Sequence, residues 1–241
     1  MKLNLLEVKI DNLSKQEILQ KISCFLQDNK MRHIVTTNPE IILQAQKDEM
    51  LKNTINNSDL SVADGIGVKF ALWRFGKNLK CRFAGIDLMW EILRMTNEKK
   101  LSVFLVANKK GLSGWQETAE TIKKEYPKLR IRGVNIEKRV KDYQLQIANS
   151  DVLFCNFGAP WQEKFIANLK KRNVGVKLAV GVGGSFDFIS GKIKRAPKWM
   201  RFLGLEWLWR LFQQPHRLKR IFKAVVIFPI RILVNTRPFA K

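Results

Sequence analysis

The fold of this chain is decided by the stretch Val152-Leu153-Phe154-Cys155-Asn156-Phe157-Gly158-Ala159-Pro160-Trp161-Gln162-Glu163. Its first six residues are mostly apolar, as in a strand that is buried on both faces of a sheet. Gly158 and Pro160 then interrupt this run, and the residues after them open a helix. A strand followed at once by a helix is the repeating unit of an α/β fold.

The same pattern recurs along most of the chain. Apolar runs predict further strands over residues 33–36, 60–63, 101–106, 129–134 and 176–182. Helices are predicted from Asn38-Pro39 to about residue 51, from just after Gly67 through residue 73, from just after Gly111 to about residue 126, and over residues 138–148. Asn is a favoured N-cap and Pro is well tolerated at the first helical position, which supports the first of these helices. The alternation predicts a doubly wound, mostly parallel sheet with helices on both faces.

The charge of the chain is unusual, whereas its hydrophobic content is ordinary. Of 241 residues, 44 are Lys or Arg and 21 are Asp or Glu, so the net charge is +23. Such an excess predicts an anionic partner, which can be nucleic acid, anionic lipid or a phosphorylated substrate. The alternative is that the basic residues form only a solvated surface, without a specific anionic partner.

The three cysteines form no CxxC pair, which argues against a disulfide framework or a zinc site and fits a reducing cytosol.

The composition changes at about Gly191, which divides the chain into a core of residues 1–190 and an appendage of residues 191–241. In the appendage Glu206 is the only acidic residue, and basic residues alternate with Trp, Phe and Leu. This mixture is typical of helices that lie in a lipid interface. Pro215 and Pro229 are expected to divide the appendage into short helices. No apolar run reaches the roughly 18 to 20 residues of a membrane span, so we expect contact with a membrane without crossing.

Candidate site residues follow the predicted strands, because ligands of open α/β sheets bind beyond the carboxyl ends of the strands. Asp64 follows a strand and precedes Gly65-Ile66-Gly67, where its carboxylate can accept a proton from an attacking hydroxyl. It can equally cap the next helix. Thr36 and Asn38 offer neutral hydrogen-bonding groups at a helix start, although capping alone also explains Asn38.

The turn from Gly181 to Phe186 can hold a diphosphate on its backbone N–H groups, or can serve only to pack a strand on a helix. It is not a dinucleotide fingerprint, since Phe186 stands where the third glycine would be. The sequence has no Asp-x-Asp and no His, Asp or Glu cluster with metal-ligand spacing. Arginines are therefore expected to neutralise any diphosphate. Arg210, Arg217 and Arg220 are candidates, unless they bind lipid headgroups instead.

Taken together, these motifs resemble the WecG/TagA/CpsF glycosyltransferases, collinearly from near the N-terminus to about Arg220. The resemblance rests on residues 36–40 (TTNPE), 63–67 (ADGIG), 82–87 (RFAGID), 157–163 (FGAPWQE), 181–187 (GVGGSFD), 195–199 (RAPKW) and 204–207 (GLEW). Within the family, the sequence is most similar to the N-acetylmannosaminyltransferases of wall teichoic acid synthesis.

The resemblance implies inverting transfer of N-acetylmannosamine from its UDP derivative to undecaprenyl-diphosphate-linked N-acetylglucosamine. It also implies a Rossmann-like core, no metal, no other cofactor, and an appendage that docks on the cytoplasmic face of the membrane and completes the site. Relatives use N-acetylmannosaminuronic acid or hexoses on similar motifs, so the motifs define the reaction class better than the donor sugar. The fold class leaves homo-oligomerisation open.

Carried over residue by residue, the resemblance implies that Asp64 is the general base on the acceptor hydroxyl. The residues that match the substrate pocket of the family are Thr36, Asn38, Arg82 and Gln162. Those that match the appendage arginines thought to hold the donor diphosphate are Arg210, Arg217 and Arg220.

Two other classes of function compete with this interpretation. Net charge and aromatic-basic mixing also suit a nucleic-acid-binding protein, but the aromatic residues gather in amphipathic segments and no DNA- or RNA-binding motif is present. A noncatalytic scaffold at the membrane is the second rival, and in that case Asp64→Asn would leave function intact.

Overall fold

A computed structural model describes residues 2–137, 147, 149–172 and 174–235. Its centre is a six-stranded sheet with the order β4-β3-β8-β7-β5-β6, in which every neighbouring pair is parallel. The strands are β1 (Lys2–Leu5), β2 (Val8–Asp11), β3 (Arg32–Thr37), β4 (Leu60–Ala63), β5 (Ser102–Asn108), β6 (Arg130–Ile136), β7 (Val152–Cys155) and β8 (Leu178–Gly181). The predicted α/β fold is confirmed, and each predicted strand is found with its ends shifted by a few residues at most.

The helices of the first 190 residues cover both faces of this sheet. They are α1 (Lys15–Phe25), α2 (Pro39–Ala45), α3 (Glu49–Asn56), α4 (Ile66–Arg74), α5 (Gly85–Glu98), α6 (Trp115–Glu125), α7 (Trp161–Lys171) and α8 (Ser185–Ile189). Side chains alternate between the faces along each strand. Ile34 and Val180 pack with α1, α5, α6 and α8, whereas Val35 packs with α2, α3 and α4, and Ala179 packs with α7. Burial on both faces explains why the strands are apolar runs.

A crevice opens at the carboxyl end of β8. The helix that follows β8, α8, lies on one face of the sheet, whereas α2 and α7, which follow the neighbouring strands β3 and β7, lie on the other. Chains that leave adjacent parallel strands toward opposite faces separate at this point, and ligands bind in the resulting gap.

Two features of the first 60 residues differ from the sequence-based expectation. The single helix expected from Asn38 to about residue 51 is two helices, because the Asp48 carboxylate accepts a hydrogen bond from the Leu51 N–H (3.0 Å) and starts α3. Strands β1 and β2 form an antiparallel hairpin that the sequence analysis did not predict; Leu6 and Glu7 turn it with positive φ. The helix predicted over residues 138–148 lies outside the described residues, apart from residue 147.

The C-terminal segment, residues 191–235, is helical through most of its length. It contains α9 (Lys198–Phe202), α10 (Glu206–Gln213), a 3₁₀ turn (Pro215–Arg217), α11 (Leu218–Phe222), a π-helical turn (Lys223–Ile227) and α12 (Phe228–Val234). Pro215 separates two helices as expected. Pro229 does not, because it lies in the first turn of α12 directly after the π-helical turn, and the chain stays helical across it.

The end of the C-terminal segment packs into the core. Phe228 and Ile232 are fully buried in one apolar cluster with side chains of the β1–β2 hairpin, α2 and α4. In contrast, neither α10 nor α11 buries a residue completely. In the described part of the chain, no helix has both the length and the apolar character to span a bilayer. Whether residues 1–190 form a separate domain stays a prediction.

Candidate active site

A cavity of about 270 Å³ lies in the crevice, between the strand ends on one side and the C-terminal segment on the other. It brings together seven of the eight side chains that the sequence analysis singled out. These are Thr36, Asn38, Asp64, Gln162, Arg210, Arg217 and Arg220. The eighth, Arg82, lines a second, adjoining cavity.

Asp64 stands directly after β4, where its backbone N–H donates to the Thr37 carbonyl (2.8 Å). It does not cap the following helix, since the N-cap of α4 is Gly65. Its carboxylate lies close to the Gly85 N–H. Burial raises the pKa of Asp64 to about 6, and the nearby Glu206 carboxylate adds to this, while the Gly85 N–H, Arg210 and Arg82 oppose it. A carboxylate with such a pKa is ionised at neutral pH and is a stronger base than an exposed one.

Arg210, Arg217 and Arg220 reach the cavity from three separate elements: α10, the 3₁₀ turn and α11. Arg210 lies 4.8 Å from the ring centre of Phe188 and passes so close to Gly184 that a Cβ there would lie 2.4 Å from its Nη2. Arg220 donates two hydrogen bonds to Glu40 (2.7 and 2.9 Å). The three arginines converge on the cavity although they do not lie on one continuous helix, because the chain turns between them.

The positive charge of this cluster is only partly compensated. Burial, with repulsion from Arg210 and Arg220, lowers the pKa of Arg217 to about 10. Burial also lowers the pKa of Arg210, although Asp64 attracts it. The Nε atoms of Arg210 and Arg217 are buried without a hydrogen-bond partner among the described residues. Buried donors normally have partners, so this arrangement fits an anion such as a diphosphate.

Gln162 ties together two loops of the cavity wall. Its side-chain oxygen accepts hydrogen bonds from the N–H groups of Gly158 and Gly183 (both 3.1 Å), and its nitrogen donates to Glu163 (2.8 Å). A Cβ at Gly181 would lie 2.6 Å from the Gln162 amide, so glycine is required there. Burial raises the pKa of Glu163 to about 7. Gln162 therefore shapes the cavity through contacts within the protein.

Thr36 and Asn38 stand at the end of β3 and the start of α2. The Thr36 hydroxyl donates to the Gly181 carbonyl (3.3 Å), which joins β3 to β8. The Asn38 side chain accepts a hydrogen bond from the Ile41 N–H (3.0 Å) and so caps α2. Capping thus accounts for Asn38, as the sequence analysis allowed, while the residue also lines the cavity.

The second cavity measures about 430 Å³ and shares Asp64, Gly65, Ala84 and Glu206 with the first. Its other wall residues are Arg82, Asp87, Arg195, Lys198, Arg201 and Phe202. Of these six residues, only Arg82 is predicted from the sequence to lie in the site. Arg195, Lys198 and Glu206 belong to motifs 195–199 and 204–207, on which the resemblance to the family partly rests. A short motif does not show which cavity its side chains line.

Among the described residues, no group of three or more His, Cys, Asp or Glu side chains is arranged to hold a metal ion. The cations at this site are side chains. The Asp64 carboxylate and several guanidinium groups around one space suit a reaction in which a hydroxyl is deprotonated while a phosphorylated group departs.

Comparison with known proteins agrees with this geometry. Residues 3–240 match the profile described as "Glycosyl transferase WecG/TagA/CpsF family". The chain belongs to the WecG/TagA/CpsF family of glycosyltransferases. The match to the family includes the C-terminal segment, from which the three arginines come, and confirms the resemblance drawn from the motifs.

Several members of the family are similar over nearly the whole chain. A protein of Bacillus subtilis (strain 168) is 38% identical over 217 residues, which cover 88% of this chain and 80% of the relative. One of Bacillus spizizenii is 34% identical over 223 residues (90% and 84%), and one of Staphylococcus aureus (strain MRSA252) is 29% identical over 246 residues (100% and 95%). All three are named N-acetylglucosaminyldiphosphoundecaprenol N-acetyl-beta-D-mannosaminyltransferase.

Proposed function

We propose that this glycosyltransferase moves N-acetylmannosamine from UDP-N-acetylmannosamine to N-acetylglucosaminyldiphosphoundecaprenol, a step of wall teichoic acid synthesis. The observation that carries the proposal is the presence of Asp64, directly after a strand end, in one cavity with Arg210, Arg217 and Arg220. Glu40, Glu163 and Glu206 line the same cavity, but Glu40 is paired with Arg220 and Glu163 is hydrogen-bonded to Gln162. The names of the relatives support the acceptor and the sugar. Because UDP-sugars of this kind are α-linked and those names specify a β product, the transfer inverts the anomeric carbon.

Inversion requires one displacement, and the residues of the cavity match its two sides. On the acceptor side, Asp64 takes the proton of the acceptor hydroxyl as its oxygen bonds to the anomeric carbon. On the donor side, the bond from that carbon to the diphosphate breaks and UDP leaves with the bonding electron pair. Arg210 and Arg217 neutralise the charge that develops on the departing diphosphate. The proton therefore ends on Asp64 and the negative charge ends among the arginines.

The acceptor has a polyprenyl tail, so the enzyme must work where that tail is held. Large apolar side chains are exposed along the C-terminal segment, including Trp199, Phe202, Phe212 and Phe222. Basic residues lie between them, which favours attraction to anionic lipid. We propose that this surface rests peripherally on the cytoplasmic face of the membrane, where nucleotide sugars are found.

A donor screen tests the proposal. Several UDP-sugars are incubated with the protein and a GlcNAc-diphosphoryl lipid analogue, and the product is identified by mass spectrometry with its linkage read by NMR. We expect a β-linked N-acetylmannosaminyl product from UDP-N-acetylmannosamine, with turnover unchanged by a chelator. Preferential use of N-acetylmannosaminuronic acid or a hexose would correct the donor. Activity that disappears with chelator and returns with added metal would contradict the role of the arginines.

A further inference from the structure

The second cavity contains cations that the chemistry above does not use. Arg195 is already neutralised, because it donates two hydrogen bonds to Asp87 (both 2.6 Å) and its Nε lies 3.6 Å from Glu206. Arg82, Lys198 and Arg201 also line this cavity.

These three cations have no ion-pair partner within the described part of the chain. One Nη2 hydrogen of Arg82 is donated to the Arg201 carbonyl (3.0 Å), which holds the two residues together. The Nε of Arg201 is buried without a hydrogen-bond partner among the described residues. Four basic and three acidic side chains line the cavity, so its wall has a small excess of positive charge. With at least one unused buried donor, it fits a phosphorylated ligand.

Large apolar side chains are exposed at and beside the second cavity. Phe202, which lines it, is 87% exposed, and Trp199 and Leu203, close to Phe202 in sequence, are 61% and 58% exposed. The same five-residue helix, α9, supplies Lys198, Arg201 and Phe202 to the wall of the cavity. Cations next to exposed apolar side chains match a ligand whose phosphates are attached directly to a hydrocarbon chain.

Asp64 lines the second cavity as well as the first. The two cavities hold different cations: Arg210, Arg217 and Arg220 line the first, whereas Arg82, Lys198 and Arg201 line the second. Two anionic ligands can thus be bound at once, with Asp64 between them. A transfer from a nucleotide diphosphate to a lipid diphosphate requires such an arrangement.

We infer that Arg82, Lys198 and Arg201 bind the diphosphate of the acceptor, whose polyprenyl tail leaves over Phe202 and whose sugar points inward to Asp64. This inference rests on the proposed function, since it assigns the acceptor side of the same site. A lipid headgroup would account for the basic residues of this cavity but not for its connection to Asp64 and the first cavity.

Binding of a water-soluble acceptor tests the assignment without a membrane. The probe is GlcNAc-diphosphate carrying a short alkyl chain, and its dissociation constant is measured by calorimetry with the full chain in the presence of UDP. We expect Lys198→Gln and Arg201→Gln each to weaken binding of the probe by about tenfold, as for lost hydrogen bonds to charged groups. The dissociation constant of UDP itself should change less than about twofold in both variants, because their cations line only the second cavity.

Lys194→Gln is the matched control, because Lys194 is an exposed cation of the same segment that lines neither cavity. A second probe, the alkyl glycoside of GlcNAc without phosphates, should bind wild type and variants equally. Arg201→Lys should recover part of the lost affinity, and unchanged UDP binding reports that each variant is folded.

Two results would overturn the assignment. If the variants bind UDP more weakly but the dissociation constant of the diphosphate probe is unchanged, the second cavity binds the donor. If the dissociation constants of both ligands are unchanged, these cations contact lipid headgroups instead. Failure of the proposed function looks different: the probe binds as expected, yet no UDP-sugar is transferred to it.

Discussion

The two sides of the active-site cavity are built differently. The strand ends contribute Asp64 and the neutral groups of Thr36, Asn38 and Gln162, all held by hydrogen bonds within the sheet region. The C-terminal segment contributes every arginine of the first cavity, from α10, the 3₁₀ turn and α11, none of which buries a residue completely. The base thus follows a buried strand, whereas the charge for the leaving group depends on how these three partly exposed elements are held. Catalysis requires both sides of the cavity, and four measurements test their contributions separately.

Asp64→Asn removes the base from the rigid side, and we expect the largest effect from this change. The amide keeps the shape of the side chain but cannot accept a proton, so kcat should fall by about 10² to 10⁴. Steady-state kinetics with the GlcNAc-diphosphoryl analogue measures the loss. The variant should still bind UDP, since the arginines are untouched. Wild-type turnover by this variant would favour a noncatalytic role for the carboxylate.

Arg217→Gln weakens the opposite side, and we expect kcat to fall by about 10² to 10³, as when one stabilising donor is removed from a transition state. Arg231→Gln is the control, because Arg231 is an exposed arginine of α12 that lines neither cavity. Activity should be measured with the soluble analogue so that membrane attachment does not contribute. Equal losses in the two variants would mean that general charge, and not the position of Arg217, matters.

Phe228→Ala loosens the anchor that connects the two sides. Phe228 is fully buried with the hairpin and α4, so its truncation should lower the free energy of unfolding by about 3 to 5 kcal/mol. Leu233→Ala, at a position 54% exposed on the same helix, should have little effect. Chemical denaturation of both variants checks this. If Phe228→Ala is as stable as Leu233→Ala, the C-terminal helix is not anchored in the core.

The pH dependence should show the smallest and most gradual effect. Because the pKa of Asp64 is raised to about 6, kcat/KM should fall toward tenfold per pH unit below that value and level off above it. The same shift makes the folded protein less stable as pH rises from about 4 through 6, since folding disfavours the charged form. Asp64→Asn should lose the inflection in kcat/KM and the contribution of Asp64 to the pH dependence of stability, while the contribution of Glu163, whose pKa burial raises to about 7, remains. A pH profile without an inflection near 6 would contradict the burial of this carboxyl group.

Sequence reasoning was most successful where a general rule fixes geometry. Parallel strands end at one edge of a sheet, so residues after β3, β4, β7 and β8 had to lie together. Arg210, Arg217 and Arg220 could be named as candidates from the sequence, but their positions around the cavity depend on how the three elements that carry them pack. The second cavity was not predicted for the same reason. Helix α9 is short, and contacts with residues distant in sequence decide which of its side chains line a cavity.

Neighbouring residues Gly183 and Gly184 are both glycine for different reasons, and this has a consequence for protein engineering. Gly183 has φ +49° with open space around its missing side chain, so asparagine, which tolerates that conformation, is a permitted replacement there. Gly184 has an ordinary backbone, but any added carbon would displace the guanidinium above it. A saturation library at these two codons, selected for turnover, should therefore retain a narrow set of amino acids at the first and only the wild-type residue at the second.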